Sequence, residues 1–361
     1  MLAPALPPSV ANAVAARAHL ADADHASAFR LCNGHLEGDP RFVIDAYGTT
    51  AVIYHQASAV DDRAVDDRAD DDRADDDRAA LDAVAAWLPT ALPWLRAVVV
   101  KERPGIDDEA RRGRVVWARS DDEHADAAAA PTAPLALDVR EHGVRYAVDL
   151  LMHQDAGFYL DTRLLRRWLI DTSDGLSVLN TFAYTGSLGV AARAGGAARV
   201  LHTDLNRRYL DVARASYALN GFAVERGDFL ARDFWSFVKG ARLSGERFDR
   251  VILDPPFYAS TDKGTVDLHR DTVRLINKVR PLVRSGGSLV VVNNALFLSG
   301  AAFMRDVEAL CAGGWLEIER SIGVPDDVTG YPSTRVGAPP VDPAPFTHST
   351  KIVVLTVRHK A

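Results

Sequence analysis

The chain of 361 residues contains only two cysteines, Cys32 and Cys311. Two cysteines are too few for a disulfide framework or for a cysteine-rich metal site, and no His, Cys and Asp residues fall at the spacing of metal ligands. No apolar run approaches the roughly 20 residues that a membrane-spanning helix needs, and the first residues lack a basic region followed by an apolar one. These absences favour a cytoplasmic protein without a membrane segment and without a bound metal.

The sequence also lacks a strong excess of charge of one sign outside a single acidic segment. Hydrophobic residues make up 48% and charged residues 25%, which excludes disorder as the overall state. The net charge is −7, but residues 61–78 alone hold ten Asp and four Arg, a net charge of −6. The remaining residues carry only −1, so the charge balance argues neither for nor against a nucleic-acid partner.

The acidic segment is a five-residue repeat that occupies residues 60–79 of a predicted N-terminal domain. Its period matches neither the 3.6 residues of a helix nor the 2 of a strand, which predicts a solvated, disordered insertion. Around it, residues 28–120 carry strand patterns and one amphipathic helical pattern, typical of a small α+β domain. Residues 1–27 are expected to be a helical segment, and the Ala-, Pro- and Asp-rich residues 121–137 a linker.

Residues 138–361 predict a second domain in which strands and helices alternate. Two alternating patterns within 138–160 indicate an entry hairpin, and the strand patterns that follow are SVLNTF, ARVLHTD, FAVERGD, RVILDPP, SLVVVNN, WLEIERSI and KIVVLTV. Short apolar strands separated by amphipathic helices predict a Rossmann-like, doubly wound, mostly parallel α/β sheet that is covered on both faces. The last two strands are expected to form an antiparallel pair at one edge.

Ligands of such sheets bind beyond the carboxyl ends of the strands, so the residues after each strand form the candidate site. The first strand leads into a turn that contains Asn180, Phe182, Tyr184, Thr185 and Gly186. The following helix N-terminus presents unpaired N–H groups to a polar ligand, although a plain loop is the alternative. Because the turn lacks the three-glycine dinucleotide fingerprint, a dehydrogenase is the least favoured function.

Acidic residues follow the next three predicted strands. Asp204 comes about 20 residues after the turn, where a carboxylate can bind ribose hydroxyls, although it could equally be a helix N-cap. Asp228 can accept a hydrogen bond from an adenine amino group while Phe229 covers the ring. The fourth strand ends in Asp254-Pro255-Pro256-Phe257, whose prolines fix the backbone. A carboxylate and an aromatic face on a rigid loop suit a planar amine or a nucleobase.

The motifs NTFAYTG, HTDLN, GD and DPPF, in this order, resemble a class I S-adenosylmethionine-dependent methyltransferase. More narrowly, they resemble the bacterial 23S ribosomal RNA methyltransferase family, which has cytosine-C5 and guanine-N7 branches. The segments EHGVRYAVDLLMHQDAGFYLDTR and RLCNGHLEGDPRFVIDAYG are similar to the entry segment and the small N-terminal domain of that family. The resemblance implies S-adenosyl-L-methionine as cofactor and structured RNA, in particular ribosomal RNA, as partner. It leaves the oligomeric state open.

The same resemblance implies roles for individual residues. The residues expected to bind the cofactor are Asn180, Phe182, Tyr184, Thr185, Gly186, Asp204, Leu205, Asp228, Phe229, Asp161 and Arg163. Among them, Asp204 would bind the ribose and Asp228 the adenine, while Asp161 and Arg163 would close the pocket. The residues expected at the target base are Asp254, Pro255, Pro256, Phe257 and Asn294.

Two departures from the family narrow the expected reaction. Cytosine-C5 chemistry needs a cysteine nucleophile, and the fifth strand is instead followed by Asn294 and Ala295, which favours transfer to a base nitrogen. The additional N-terminal RNA-binding module of many members is expected to be missing. Phosphate contacts would then depend on the basic residues Arg163, Arg166, Arg167, Arg207, Arg208, Arg270, Arg274 and Lys278.

Two alternative functions remain open from the sequence. The same fold could methylate a protein or a small molecule, which the missing module and the net acidity favour. A catalytically silent RNA-binding module is the other alternative, and the presence of both Asp204 and the Asp254 motif argues against it.

Overall fold

The computed structural model of the protein describes residues 6–56, 67–103, 111–119, 135 and 137–359. The strands are β1 Ala28–Asn33, β2 Phe42–Tyr47, β3 Thr50–Gln56, β4 Ala97–Arg103, β5 Arg114–Ala118, β6 Asp138–Glu141, β7 Val144–Ala147, β8 Ser177–Thr181, β9 Arg199–Asp204, β10 Phe229–Ala231, β11 Phe248–Leu253, β12 Tyr258–Thr261, β13 Gly264–Asp267, β14 Val283–Asn293, β15 Leu316–Ile322 and β16 Lys351–Val357. The helices are α1 Pro8–Arg17, α2 Asp67–Ala91, α3 Arg163–Thr172, α4 Ser187–Ala194, α5 Arg207–Leu219, α6 Phe234–Ser244, α7 Leu268–Val279, α8 Gly300–Cys311 and α9 Asp326–Thr329. Among the helices of these residues, none combines the length and the apolar character that a membrane span requires.

The chain divides into two units, and the division corrects the predicted boundary at residue 138. The first unit takes in residues from 1–141, 148–160 and 326–338, and the second takes in 142–147, 161–325 and 339–361. The two later segments of the first unit are hydrogen-bonded to its earlier part. The phenolic O–H of Tyr47 donates to the carbonyl of Phe158 at 3.2 Å, and the guanidinium of Arg17 donates to the carbonyl of Asp327.

The first unit is built on a five-stranded sheet in the order β1-β2-β3-β4-β5. Neighbouring strands are antiparallel except β3 and β4, which run parallel and are joined through α2. The buried core beneath the sheet includes Leu31, Ile44, Ile53, Val84, Leu88 and Val98. This mixed sheet with its helices matches the small α+β domain predicted from the sequence.

The acidic repeat is partly helical, so the prediction of disorder over 60–79 is wrong for the residues from 67 onward. The backbone from Asp67 is one continuous helix with the apolar segment that packs against the core. Adding residues to a helix that is already nucleated costs little free energy, which explains why a repeat without a packing period can form the first turns of this helix. Asp77 is buried and forms an ion pair with Arg41 at 3.1 Å. Residues 60–66 lie outside the described residues.

The second unit contains a seven-stranded sheet in the order β10-β9-β8-β11-β14-β16-β15. The strands β10, β9, β8, β11 and β14 run parallel to one another, and β16 is antiparallel to both β14 and β15. The predicted antiparallel pair is therefore present at the edge, and its last strand is inserted between β14 and β15. The chain order reverses between β8 and β11, so a ligand crevice is expected at their carboxyl ends.

Alternate residues of the central strands face opposite cores, which confirms the doubly wound sheet. On one face, Val251, Leu253, Leu289 and Val291 pack with α6, α7 and α8. On the other face, Ile252 belongs to a cluster that also contains residues of α3 and α4. Because both faces are covered, these strands are continuous apolar runs, the pattern from which they were predicted.

Candidate active site

The turn after β8 holds two non-glycine residues in the left-handed region of backbone conformation. Phe182 and Tyr184 both have φ of 51°. Such residues persist only where their surroundings hold them, and they concentrate at functional sites. The ring of Phe182 stacks on Phe234 at 4.4 Å between centroids, and the N–H of Ala183 donates to the carbonyl of Thr203 at 2.9 Å. The turn is thus a defined structure rather than a loose loop.

Two glycines let the helix after this turn lie against β9. Gly186 is the N-cap of α4, with φ of 79° and no side-chain cap. A Cβ on Gly189 would lie 2.3 Å from Cε1 of His202, a residue of β9. His202 is buried and stacks on Phe229 at 4.7 Å. Burial lowers its pKa to about 3, so the imidazole is neutral. Sequence reasoning did not identify this packing role of His202.

Asp204 ends β9 and binds backbone groups with both carboxylate oxygens. Oδ2 accepts from the N–H of Tyr184 at 2.9 Å, and Oδ1 accepts from the N–H of Asn206 at 2.8 Å. Burial raises the pKa of this carboxyl, and the hydrogen bonds oppose the shift. The helix cap is provided instead by Asn206, whose side chain accepts from the N–H of Arg208. The next residue, Leu205, is exposed beside the turn.

The structure corrects the placement of Asp228 and Phe229. Residues 222–228 are not a strand, because Gly227 has φ of 97° and Oδ2 of Asp228 accepts from the N–H of Glu225, which closes a turn. Asp228 therefore precedes β10 and lies at its amino end, away from the edge where Asp204 ends β9. Phe229 packs into the core against His202 rather than facing a ligand.

Asp233 occupies the position that was predicted for Asp228. It follows β10 at the same edge as Asp204, which is paired in register with Ala231. One of its oxygens caps α6 by accepting from the N–H of Ser236, and the other accepts from the hydroxyl of Thr261 at 3.0 Å. The sequence signal was an acidic residue directly before an amphipathic helix, and the wrong strand limits obscured it.

Asp254 follows β11 directly, on the strand that neighbours β8. Burial, together with the negative charge of Asp161, raises the pKa of the Asp254 carboxyl to about 7. Pro255 is buried, whereas Phe257 is half exposed, with its carbonyl accepting from the N–H of Leu268 at 2.9 Å. Pro256 is exposed between them. The loop thus presents a carboxyl group and an aromatic ring on a fixed backbone.

Asp161 and Arg163 come from a 3-10 turn and the start of α3. Oδ2 of Asp161 accepts from the hydroxyl of Thr350 at 2.6 Å. Asn294, predicted at the target base, is exposed at the end of β14. Its neighbour Asn293 is buried and donates to Thr272 at 2.9 Å, so it holds the strand end instead of facing a ligand.

Several predicted RNA-binding cations are already engaged within the protein. Arg166 is fully buried and donates to Thr162, which rules it out as a surface contact. Arg274 pairs with Asp271 at 3.1 Å and lies over the Trp235 ring. Further predicted cations with an acidic partner are Arg167 and Arg270. Arg207, Arg208 and Lys278 are exposed.

Neither cysteine lies at the end of β14. Cys32 is buried in β1, where burial raises the thiol pKa to about 12, and Cys311 ends α8 with a pKa that burial also raises. Both thiols are therefore protonated near neutral pH and are poor nucleophiles. Within the described part of the chain, no group of three or more His, Cys, Asp or Glu side chains could hold a metal ion.

The residues around the β8 turn fit S-adenosylmethionine. Nδ2 of Asn180 is buried at the end of β8 and has no hydrogen-bond partner among the described residues. An orphaned buried amide is costly unless a ligand supplies an acceptor. The uncapped start of α4 adds backbone donors, and Asp204 adds acceptors for hydroxyl groups. This donor and acceptor set suits an amino acid joined to a nucleoside.

Comparison with known proteins agrees with this geometry. Residues 110–330 match a family model described as S-adenosylmethionine-dependent methyltransferase. The chain is 36% identical over 158 residues to ribosomal RNA large subunit methyltransferase K of Neisseria meningitidis, covering 43% of this chain and 45% of that protein. It is 37% identical over 160 residues to ribosomal RNA large subunit methyltransferase K/L of Allochromatium vinosum, covering 44% and 22%. The chain spans less than half the length of these curated relatives.

Solved structures share the fold of both units. SMU.776, described as a methyltransferase candidate complexed with SAH, aligns with a TM-score of 0.75 at 21% identity and covers 97% of this chain and 80% of that chain. A methyltransferase from Agrobacterium tumefaciens aligns with a TM-score of 0.55 at 16% identity and covers 92% and 91%. At these identities the likeness concerns the fold.

Proposed function

Because the chain belongs to the S-adenosylmethionine-dependent methyltransferase family, we propose that it methylates a nitrogen of a nucleobase in ribosomal RNA. The main support for this proposal is that two features lie on neighbouring strands of the sheet. One is the orphaned amide of Asn180 near the end of β8, and the other is Asp254 with its Pro-Pro-Phe loop after β11. The similarity to two ribosomal RNA large subunit methyltransferases supports RNA as the substrate class. Such a substrate would place the protein in the cytoplasm.

The cofactor, when bound, supplies an activated methyl group on a sulfonium. Asn180 and the turn residues Phe182, Tyr184, Thr185 and Gly186 hold its amino-acid part in this proposal. Asp204 binds the ribose hydroxyls, and Asp233, rather than Asp228, binds the adenine. Arg163, at the start of α3, closes the same pocket beside Asp161.

The chain's own contribution to transfer is to position and desolvate the target base. A ring or amino nitrogen has a lone pair, so it needs alignment rather than covalent activation. Phe257 stacks on the base, Pro255 and Pro256 keep the loop rigid, and Asn294 orients the ring. Asp254 in its carboxylate form accepts a hydrogen bond from an N–H of the base. The residue after β14 is not cysteine, which fits transfer to nitrogen rather than to cytosine C5.

The test is methyl transfer from a cofactor labelled in its methyl group to three acceptors in parallel. These are ribosomal RNA from cells that lack the gene, the same RNA from wild-type cells, and a protein and metabolite extract of the deletion cells. We expect label in the first RNA only, because the wild-type RNA is already methylated. Mass spectrometry of its nucleosides should then find the methyl group on a base nitrogen.

Other outcomes would assign a different function. Label in the protein or small-molecule fraction alone contradicts an RNA substrate, and a 5-methylcytidine product contradicts transfer to nitrogen. Binding of S-adenosylhomocysteine without transfer to any acceptor indicates a catalytically silent module.

A further inference from the structure

The antiparallel strand β16 brings its first residues to the edge of the sheet where the parallel strands end. Lys351, the first residue of β16, is paired in register with Asn293, the last residue of β14. A strand that ran parallel to β14 would present its last residues there instead. The residues that enter β16 therefore lie beside the loop after β14.

Lys351 is a completely buried lysine that holds this loop by its backbone. Its ammonium group donates to the carbonyls of Ala295 at 2.9 Å and Leu298 at 3.1 Å, and also to the carbonyl of Ser349. Three donors thus meet three acceptors. A buried ammonium is tolerated only with such compensation, so the loop and the lysine stabilise each other.

The loop that Lys351 holds presents apolar side chains to solvent. Phe297 is 65% exposed, and Leu296 beside it is also exposed. The loop after β11, on the strand that neighbours β14, presents Phe257 and Tyr258 in the same way. Exposed aromatic rings on adjacent loops suit the stacking of unpaired bases, which is how proteins bind single-stranded RNA.

Thr350, directly before Lys351, bonds to the other side of the same site. Its buried hydroxyl donates to Asp161, whose charge acts on Asp254. Two adjacent residues thus contact both the carboxylate beside Asp254 and the loop that carries Phe297. Neither residue is near either target in the sequence, since Thr350 and Asp161 are 189 positions apart.

We propose that Thr350 and Lys351 are positioning residues for the target base, Thr350 through Asp161 and Lys351 through a loop whose Phe297 stacks on an unpaired RNA base. This inference rests on the proposed function. The substrate would be an unpaired region of RNA, and Phe297 would contact one of its bases.

The first part of the test uses Phe297→Ala, with Leu243→Ala as the matched control. Leu243 is 80% exposed near the end of α6, so both variants remove an exposed apolar side chain. We expect Phe297→Ala to raise the KM for RNA at least fivefold while kcat and the Kd for S-adenosylhomocysteine stay near wild type. Leu243→Ala should leave all three unchanged. A wild-type KM in Phe297→Ala would overturn the stacking role.

The second part separates positioning from general stability. Thr350→Val should lower kcat at least tenfold, and Thr350→Ser, which keeps the hydroxyl, should restore it. Lys351→Met should speed amide hydrogen exchange in residues 295–299 and raise the KM for RNA as Phe297→Ala does. Exchange at the wild-type rate in Lys351→Met would overturn the positioning role of Lys351. Equal kcat in Thr350→Val and Thr350→Ser would overturn that of Thr350.

The exchange experiment needs no RNA, so the two proposals can fail separately. A wild-type protein that methylates no RNA overturns the proposed function. Wild-type methylation of RNA combined with wild-type kinetics in the Phe297 and Thr350 variants overturns only the present inference.

Discussion

The backbone N–H of Tyr184 donates a hydrogen bond to Oδ2 of Asp204 at 2.9 Å. This bond joins the turn after β8 to the end of β9, and it involves one of the two non-glycine residues of that turn in the left-handed conformation. Asp204 consequently has two tasks in the proposed site, because it holds the turn in shape and offers acceptors to the ribose.

Asp204→Asn is expected to weaken cofactor binding. The new amide would turn an N–H donor toward one of the two backbone N–H groups that the carboxylate now accepts from. A hydrogen bond to a charged group contributes about 1.5–3 kcal/mol, which corresponds to roughly a tenfold to hundredfold increase in the Kd for S-adenosylhomocysteine. Calorimetric titration measures it. Asp211→Asn, which removes an exposed ion pair on α5, should bind as wild type does.

The raised pKa of Asp254 predicts a pH dependence of methylation. Its carboxyl group is protonated below a pKa of about 7, so the form that accepts a hydrogen bond increases as pH rises through that value. We expect kcat/KM for RNA to rise between pH 6 and 8, which are roughly one unit either side of the pKa. Asp254→Asn should have low activity without this limb. An unchanged limb in this variant would assign the titration to another group.

Asp161→Asn tests the cause of that raised pKa. The asparagine keeps an oxygen that can accept from Thr350 but removes the negative charge that disfavours ionisation of Asp254. The limb of kcat/KM should therefore move to lower pH. A limb that stays in place would leave burial as the sole cause.

Gly189→Ala is expected to destabilise the second unit. The added Cβ would lie 2.3 Å from His202, and overpacking of this kind costs about 1–3 kcal/mol of unfolding free energy. Gly240→Ala is the matched control, because Gly240 lies on α6 with nothing within 4 Å of its Cβ position. It should stabilise the protein by roughly 0.5–1 kcal/mol. Urea unfolding of both variants measures the difference, and equal effects would exclude the clash.

His202→Phe should reduce the loss of stability in acid. The unfolded chain binds a proton below the ordinary pKa of 6.5, while burial keeps His202 neutral in the folded protein down to a pKa of about 3. Stability from this group is thus present above pH 6.5 and is lost as pH falls toward 3. At a pH of about 4.5 the loss is about 2–3 kcal/mol. Urea unfolding above pH 6.5 and at a pH of about 4.5 measures the effect. Between these pH values, the variant should lose less unfolding free energy than wild type by this amount.

The sequence predicted the central sheet because its strands are covered on both faces. Continuous apolar runs such as the one that precedes Asp254 are typical of parallel strands that are buried on both faces. The motif residues were identifiable for the same reason, since Asn180 lies one residue before the end of β8, Asp204 ends β9 and Asp254 directly follows β11. The resemblance to a methyltransferase family, carried by these motifs, is confirmed.

Two predictions from the sequence were wrong, the strand at 222–228 and the disorder of the acidic repeat from residue 67 onward. Residues 222–228 alternate in polarity as a strand does, yet Gly227 and the Asp228 carboxylate close a turn there, and pairing with β9 begins at Phe229. The acidic repeat has no packing period of its own, yet it continues a helix whose apolar half is packed, and Asp77 meets Arg41. The turn is closed by a local hydrogen bond, whereas the start of β10 and the burial of Asp77 depend on partners distant in the sequence.

The sequence by itself determined the fold class, the order of the parallel strands' motifs and the chemistry available at their ends, because these depend on short-range patterns. Only the tertiary structure decided that Asp233, and not Asp228, follows β10 at the carboxyl edge. It alone also brought Thr350 and Lys351 to that edge, by inserting β16 antiparallel between β14 and β15. The local pattern predicted an antiparallel pair, but which strand lies beside which depends on pairing between distant segments, and the pattern of one strand does not name its partner.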